Sequence, residues 1–418
     1  MNLINSELSL QFFYIDKQIL VVCTGSSGEA YSFIKESDVK ALIKRSILVH
    51  QHIDKFFPKD SILFESNHNS IEQGEAIKDA SSPVNLDTTG LGNRVLNSKQ
   101  EREKLSSNLK QLGTLLFKNV FNHQILDLLN VAIGQAIRLK NDVLIRLMIA
   151  SDFLNLVPWE LFYNEDRYLC HVYDIVRHPF TLQPVRKPIS SSENIRLLFI
   201  GANPSHDIYV QGQIEAVQAA LEESSIQFEK LPDSTYKSIA NSIYDGITIL
   251  HFLAHGECEY DGNHLKYYFR IDSEDENKPY DKLPIEMLES FCRANPMQVA
   301  VLNACRSDQA IMYSKSKSGK KLTNRLTESG YYSMAHALIK TGIPCVIGMS
   351  HPISKIGAEI LTRRLYRTLT SKGGSIYKAV RQIRLELFAH TDFLPPSDWL
   401  TPVLYLRNSN YNGLIQTQ

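Results

Sequence analysis

The chain has 418 residues, which predicts two or three domains at roughly 150 residues per domain. Its 45 basic residues (Lys and Arg) balance its 45 acidic ones (Asp and Glu), and this neutrality argues against a protein that coats nucleic acid or an anionic membrane. The apolar fraction of 43% supplies a core, and no apolar run reaches the ~18 residues of a membrane span. Six cysteines predict no disulfide framework and favour a reducing cytoplasm, where thiols stay free for chemistry.

Residues 1–185 start with strand-like runs and then become helical. The first residues carry no basic stretch, which disfavours a secretory signal. Ser37-Asp38 are predicted to cap a helix over Val39–Phe56. Residues 66–100 are polar and lack a period, so we predict a mobile insertion there. The other elements predicted in this part are strands at Leu8–Ile15, Gln18–Cys23, Ala30–Ile34 and Val143–Ala150, a helical region over Glu101–Leu139, and aromatic strand-like runs to about Val185.

The polar, Ser-rich segment Arg186–Asn194 is the predicted domain boundary, and residues 186–418 form the second half. An alternation of short apolar runs and helical patterns follows this boundary. Because several of the runs lack polar alternation, they favour a mostly parallel sheet flanked by helices. The predicted strands are Ile195–Ile200, Ile226–Lys230, Ile247–Phe252, Val299–Leu302 and Cys345–Met349, and the helices are Tyr209–Glu223, Ser234–Tyr244, Leu283–Arg293, Tyr332–Lys340, about Ile353–Thr370 and Ser375–Phe388.

Two of these predicted strands end in reactive side chains. The run over Ile247–Phe252 leads to His255-Gly256, and the run over Val299–Leu302 leads to Cys305, 50 residues after His255. If the two strands are parallel neighbours, the imidazole and the thiol emerge at the same edge of the sheet. The alternative is structural, because a cysteine at the end of a strand often only packs and a His-Gly pair often only turns the chain.

A thiol beside an imidazole is the pair that a cysteine peptidase needs. A free thiol with a pKa of about 8.5 is only a few per cent thiolate at pH 7. The imidazole of His255 would lower that pKa, or take the proton as Cys305 attacks, and later protonate the leaving amine. The N–H of Gly256 and that of Cys305 are candidates for the two donors of an oxyanion hole.

The segment around Cys305 resembles the caspase signature Q-A-C-[RQG]-G, whose histidine lies about 50 residues upstream. A longer set of motifs resembles the CHAT domain, the caspase-like peptidase family related to separase. This resemblance covers roughly residues 140–408. The motifs are Pro158-Trp159-Glu160-Leu161, Ile249-Leu250-His251-Phe252-Leu253-Ala254-His255-Gly256, Val301-Leu302-Asn303-Ala304-Cys305, Met334-Ala335-His336-Ala337-Leu338, Gly342-Ile343-Pro344-Cys345-Val346-Ile347-Gly348 and Trp399-Leu400-Thr401-Pro402-Val403-Leu404-Tyr405.

The resemblance implies a caspase-like α/β fold, preceded over residues 1–185 by a degenerate caspase-like half. It further implies that Cys305 is the nucleophile and His255 the general base of an endopeptidase that cleaves one or a few proteins, in a bacterial defence or cell-death system. A protein substrate and a protein activator or sensor are the expected partners, with no direct contact to nucleic acid or membrane. No TPR array is present, so a sensor would be a separate chain or the N-terminal half.

Four further residues are candidates for substrate binding. Asn303, two residues before the nucleophile, resembles one wall of the pocket for the residue before the scissile bond (P1), or simply ties down its loop. Asn203 and Asp207 follow a predicted strand and border the expected cleft. Lys355 and Gly357 stand where separases place acidic residues for arginine, so we expect no strong preference for a basic P1 residue. Lys355 as a solvated charge is the alternative interpretation.

The segment Arg306–Tyr331 after the nucleophile is long, and we predict that it is a mobile activation loop, with an inert surface insertion as the alternative. It is rich in serine and lysine and begins with Arg306, and the lysines assigned to it are Lys315, Lys317, Lys320 and Lys321. His255 and Cys258 have zinc-like spacing, but no second pair completes a site, so the sequence predicts neither metal nor cofactor. A catalytically silent adaptor that binds a protein partner is the alternative function.

Overall fold

The computed structural model describes residues 6–56, 99–150, 152–181, 184–186, 194–206, 208–260, 265–293, 295–304, 333–371 and 374–407. Two segments singled out in the sequence fall outside these ranges. They are residues 66–98 of the predicted insertion and the predicted activation loop Arg306–Tyr331, which includes Lys315, Lys317, Lys320 and Lys321. Cys305 and Asp207 also lie outside the described residues.

Strands and helices alternate along the described chain. The strands are β1 (Ser6–Ile15), β2 (Gln18–Gly25), β3 (Gly28–Ile34), β4 (Val143–Ile149), β5 (Tyr163–Asn164), β6 (Arg167–Tyr168), β7 (Asp174–Arg177), β8 (Arg196–Gly201), β9 (Gln227–Lys230), β10 (Ile249–Ala254), β11 (Gly256–Tyr260), β12 (Leu265–Ile271), β13 (Asp281–Pro284), β14 (Val299–Ala304), β15 (Cys345–Met349) and β16 (Pro402–Leu406). The helices are α1 (Glu36–Phe56), α2 (Lys99–Val120), α3 (His123–Leu139), α4 (Val210–Leu221), α5 (Tyr236–Tyr244), α6 (Ile285–Arg293), α7 (Met334–Lys340), α8 (Lys355–Thr370) and α9 (Ile376–Ala389).

One sheet of eleven strands runs through the molecule in the order β3-β2-β1-β4-β7-β16-β15-β14-β10-β8-β9. The strands β1, β4, β7 and β16 are parallel to one another, and so are β15, β14, β10, β8 and β9. The two blocks meet where β15 and β16 pair antiparallel, so their carboxyl ends lie at opposite edges of the sheet. The predicted mostly parallel sheet flanked by helices is therefore confirmed.

Alternation along the strands sorts the side chains into two cores. On β10, Ile249 and Leu253 point to the face covered by α4 and α8, whereas Leu250 and Phe252 point to the face covered by α5, α6 and α7. Every residue of β10 and of β14 is buried, as expected for central parallel strands covered on both faces. The ends of these strands are consequently held firmly on both sides.

Several local predictions were wrong. Helix α1 begins at Glu36, so Ser37 and Asp38 lie in its first turn and do not precede it as a cap. The partial positive charge at the amino end of a helix stabilises an acidic side chain such as that of Asp38. The helical region over 101–139 is two helices, because the Asn122 side chain accepts a hydrogen bond from the Ile125 N–H and starts α3. After β4, the aromatic runs form mostly short turns and two-residue strands, and only β7 joins the large sheet.

A small antiparallel sheet of β11, β12 and β13 was also missed. Its exposed side carries charged residues that form ion pairs, including Glu257 with Arg270 and Glu259 with Lys282. This high charge density obscures the alternation of apolar and polar residues in the sequence. Among the described helices, none combines the length and apolarity needed to cross a membrane.

Candidate active site

The two strands that lead to His255 and Cys305 are parallel neighbours at the centre of the large sheet. Their register pairs Leu253 with Asn303 and Ala254 with Ala304. His255 therefore follows one member of the last pair and Cys305 is bonded directly to the other. The arrangement on which the predicted dyad depended is present, although Cys305 itself is outside the described residues.

His255 stands between the large sheet and the small one. It follows β10 and precedes β11, it is partly buried, and its carbonyl accepts a hydrogen bond from the Arg270 N–H at 2.9 Å. In the antiparallel pair of β11 and β12, this bond makes Gly256 and Phe269 a pair that exchanges no hydrogen bond across the ladder. The N–H of Gly256 consequently points away from β12, as an oxyanion donor at this position requires.

Asn303 lies at the end of β14 and is 4% exposed. Its Nδ2 donates to Oε1 of Gln213 on α4 at 3.5 Å, and the same oxygen accepts from Oγ1 of Thr362 on α8 at 2.6 Å. The amide thus links the strand before Cys305 to the two helices above it. Such a contact is what the second interpretation of Asn303 expects, in which the amide ties down its loop. A role of Asn303 in the P1 pocket stays a prediction.

Asn203 closes the turn between β8 and α4. Its Oδ1 accepts from the Ile208 N–H at 2.9 Å and its Nδ2 donates to the Ile208 carbonyl at 2.8 Å. Both bonds hold a loop at the carboxyl edge of β8, next to β10. A place for Asn203 at the border of a substrate cleft stays a prediction, as it does for Asp207.

Lys355 is the first residue of α8 and lies at the same edge of the sheet. Its side chain is exposed to solvent, and its Nζ is 3.3 Å from the centre of the Tyr209 ring, which precedes α4. The ammonium is therefore held by an aromatic face, a cation–π contact. Sequence patterns did not reveal Tyr209, because its role depends on the approach of two helix ends that are distant in the chain.

The segment between β15 and α8 is fixed by contacts from distant parts of the chain. His351 is fully buried, stacks on His50 of α1 with Nδ1···Nε2 at 2.6 Å, and is hydrogen-bonded to the Ser350 hydroxyl at 2.8 Å. Ser354 caps α8 and donates to the buried carboxyl of Asp398. This segment borders β14 through β15, so residues 1–185 help to position one side of the candidate site.

Four cysteines are buried in the described part of the chain, and none of these four forms a disulfide. Burial raises the pKa of Cys23, Cys170 and Cys292 to about 12, and it raises the pKa of Cys345 further. Desolvation disfavours a thiolate at each of these positions. These four thiols are therefore poor nucleophiles, which leaves Cys258 and Cys305 as the remaining candidates.

The sheet, its helices and the two strand ends define the caspase-like class of α/β proteins. The CHAT domain model matches residues 107–406, and the chain belongs to the CHAT domain family. The match runs through Arg186–Asn194, and the division at that segment stays a prediction. Among curated protein sequences, none matches this chain.

Solved structures with the same fold include a caspase-like cysteine peptidase, separase. The Saccharomyces cerevisiae separase–securin complex at 3.0 Å matches with a TM-score of 0.51 and 9% identity, over 99% of this chain and 30% of that chain. The Arg-specific cysteine proteinase gingipain R matches with a TM-score of 0.42 and 11% identity, over 75% of this chain and 68% of that chain. This chain thus spans about a third of the separase chain, and the likeness to separase concerns the fold alone.

Proposed function

We propose that this chain is a cysteine endopeptidase in which Cys305 is the nucleophile and His255 the general base. The observation that carries the proposal is the register of β10 and β14, which pairs Ala254 with Ala304. The residues directly before His255 and Cys305 are therefore neighbours at the same edge of the sheet. The CHAT family match and the caspase-like fold support a peptidase.

The proposed reaction divides among a few groups. His255 takes the thiol proton of Cys305 as the sulfur attacks the substrate carbonyl, and then gives the proton to the leaving amine. The N–H groups of Gly256 and Cys305 stabilise the oxyanion. Water then hydrolyses the thioester, again with His255 as base, and frees the enzyme.

The thiol can be tested without knowing the substrate. Native protein is treated with iodoacetamide between pH 5 and 9, and mass spectrometry follows each cysteine. We expect Cys305 to react fastest and to stay reactive below pH 8, because the imidazole stabilises its thiolate. In His255→Ala the rate should fall at least about tenfold at pH 7 and follow an ordinary thiol pKa of about 8.5. Replacement of the exposed His123 by Ala is the matched control.

Cleavage is measured separately, by comparing new protein N-termini in a lysate treated with wild type, Cys305→Ala or His255→Ala. Products made by wild type and missing with both variants support the peptidase. Because the two residues act as a unit, the double variant should be little worse than either single one. Equal products with Cys305→Ala would refute Cys305 as nucleophile and direct attention to Cys258. A reactive thiol with no products from any protein would favour the adaptor.

We further propose that a protein activator controls the site through Arg306–Tyr331, in a cytoplasmic defence or cell-death system. The support is the sequence of the segment, which joins Cys305 to α7 and has a serine- and lysine-rich composition typical of segments that order on binding a partner. A partner that orders the segment would shift the enzyme toward a competent state. Deleting residues 315–321 should change the alkylation rate of Cys305 or the yield of products, and unchanged values in both assays would refute this control.

A further inference from the structure

The amino ends of α4 and α8 form a small built site beside the candidate nucleophile. The two helices follow β8 and β15, which are parallel to β10 and β14, so both helices begin at the edge where His255 and Cys305 emerge. In the first turn of α4, Gln213 accepts a hydrogen bond from Asn303, which lies two residues before Cys305. A side chain bound between these helix ends would therefore lie close to the scissile bond.

Three residues form the walls of this site. A Cβ atom added to Gly212 would lie 1.9 Å from the Tyr209 ring and 2.9 Å from Oε1 of Glu359, so the ring and the carboxylate both lie against the bare glycine. The same distances place the carboxylate oxygen within about 5 Å of the ring edge. An aromatic face and a carboxylate around a glycine suit a cationic side chain, such as the ammonium of lysine or the guanidinium of arginine.

The site already holds a cation, which is the chain's own Lys355. The ammonium of Lys355 is 3.3 Å from the centre of the Tyr209 ring. Burial raises the pKa of Glu359, and the charges of Lys355 and Arg363 oppose that rise. The carboxylate is thus partly withdrawn from water, and the charge of Lys355 acts on it to favour its ionised form.

We propose that Lys355 fills, within its own chain, a cation subsite made by Tyr209, Gly212 and Glu359, and thereby keeps basic substrate side chains out of the candidate active site. The inference rests on the proposed peptidase and names its specificity. With Lys355 in place, a substrate offers an uncharged side chain at this position. With the lysine shortened, the same walls accept lysine or arginine.

Ligand binding tests the subsite without any cleavage. The probe is Nα-acetyl-arginine amide, titrated by calorimetry into full-length Cys305→Ala protein that carries Lys355→Ala, Lys355→Arg or no further change. We expect binding at least tenfold tighter with Lys355→Ala, because the vacated ring and carboxylate are both available. Lys355→Arg keeps a cation in place and should resemble the parent. Adding Gly212→Ala, whose methyl group displaces the Tyr209 ring, should abolish the gain. Equal binding by all variants would refute the subsite.

Cleavage tests its role in specificity. Fluorogenic peptides that differ only at P1 are assayed with the wild type and with Lys355→Ala. We expect the ratio of kcat/KM for Arg over Leu to rise at least tenfold in the variant. Gained binding with no shift in this ratio would refute the place of the subsite next to the scissile bond. Wild type that prefers Asp or Glu and loses this preference in Lys355→Ala would show instead that the lysine itself binds substrate. Absence of cleavage in every variant refutes the peptidase, and calorimetry still decides whether the cation subsite exists.

Discussion

At the scale of single residues, Glu160 and Arg177 form a buried ion pair in the N-terminal half. Two hydrogen bonds of 2.8 Å join the carboxylate to the guanidinium, and both side chains are below 5% exposed. Burial acts to raise the pKa of Glu160, but the charge and hydrogen bonds of Arg177 hold it below its usual range. The acid in the Pro158–Leu161 motif is therefore structural, and Trp159 next to it packs on Phe12 in the core.

Removing one member of this pair should destabilise the protein strongly. Arg177→Met leaves the carboxylate buried without its partner, and we expect the free energy of unfolding to fall by about 3–5 kcal/mol. The matched control is Arg167→Met, which breaks the solvent-exposed pair with Asp166 and should change the stability little, because water screens that pair. Chemical denaturation followed by circular dichroism measures both. Equal losses in the two variants would contradict the role given to Arg177.

At the scale of elements, the amino end of α8 is held by a carboxyl group that is fully buried. Asp398 accepts hydrogen bonds from the Ser354 N–H at 3.4 Å and from its hydroxyl, and Ser354 in turn caps the helix through the Gly357 N–H. Burial raises the pKa of Asp398 to about 7, against the opposing effect of these hydrogen bonds. The start of α8 thus depends on a group that titrates near neutrality.

This titration gives a signed prediction for stability. The folded state holds a proton on Asp398 up to about pH 7, whereas the unfolded chain releases it near pH 4. The contribution of this raised pKa to stability is therefore complete below pH 4 and is lost as the pH rises through 7. From pH 5 to 8, the free energy of unfolding of the wild type should therefore fall relative to that of Asp398→Asn. The expected change is a few kcal/mol, as the size of the pKa shift implies. The exposed Asp166→Asn should show a flat difference over this range, since Arg167 lowers the pKa of Asp166. A flat difference for Asp398→Asn would contradict the prediction.

The sequence predicted the elements that repeat a simple pattern and missed those that depend on distant contacts. Cys345–Met349 was predicted with the bounds that β15 has, because a short apolar run buried on both faces carries its own signal. Asn122 was missed as a helix start, since a long helical period continues on both sides of it. The histidine and cysteine at strand ends could be predicted from local order, whereas Tyr209, Gly212 and Glu359 are brought together only by the packing of α4 on α8.

At the scale of the whole molecule, β16 unites the two parallel blocks. This strand lies between β7 and β15, and its residues contribute to both cores, with Leu404 in one and Val403 in the other. The division into residues 1–185 and 186–418 is a prediction about the chain. In space, a strand from the second half adjoins the sheet of the first. The two halves are therefore expected to unfold together.

We predict that Leu404→Ala lowers the stability of both halves by the same amount. Truncation of a buried leucine costs about 2–5 kcal/mol, and the strand it weakens is shared. The chain has two tryptophans, so Trp399→Phe leaves Trp159 as the reporter for residues 1–185, and circular dichroism reports on the whole chain. Denaturation midpoints from the two signals should coincide and shift together. Leu48→Ala, at a side chain that is 53% exposed, is the control. Two separate transitions would show independent domains.

The position of β16 also bears on how the protein is made. Strand β7 ends at residue 177 and its neighbour β16 begins at residue 402, so a ribosome that adds roughly 5–20 residues per second needs on the order of 10–50 s to supply the missing strand. During that interval the nascent chain exposes a sheet edge to chaperones and to other nascent chains. The segment that carries His255 and Cys305 also emerges before the sheet can close. The surroundings of the candidate nucleophile are therefore complete only after β16 has left the ribosome.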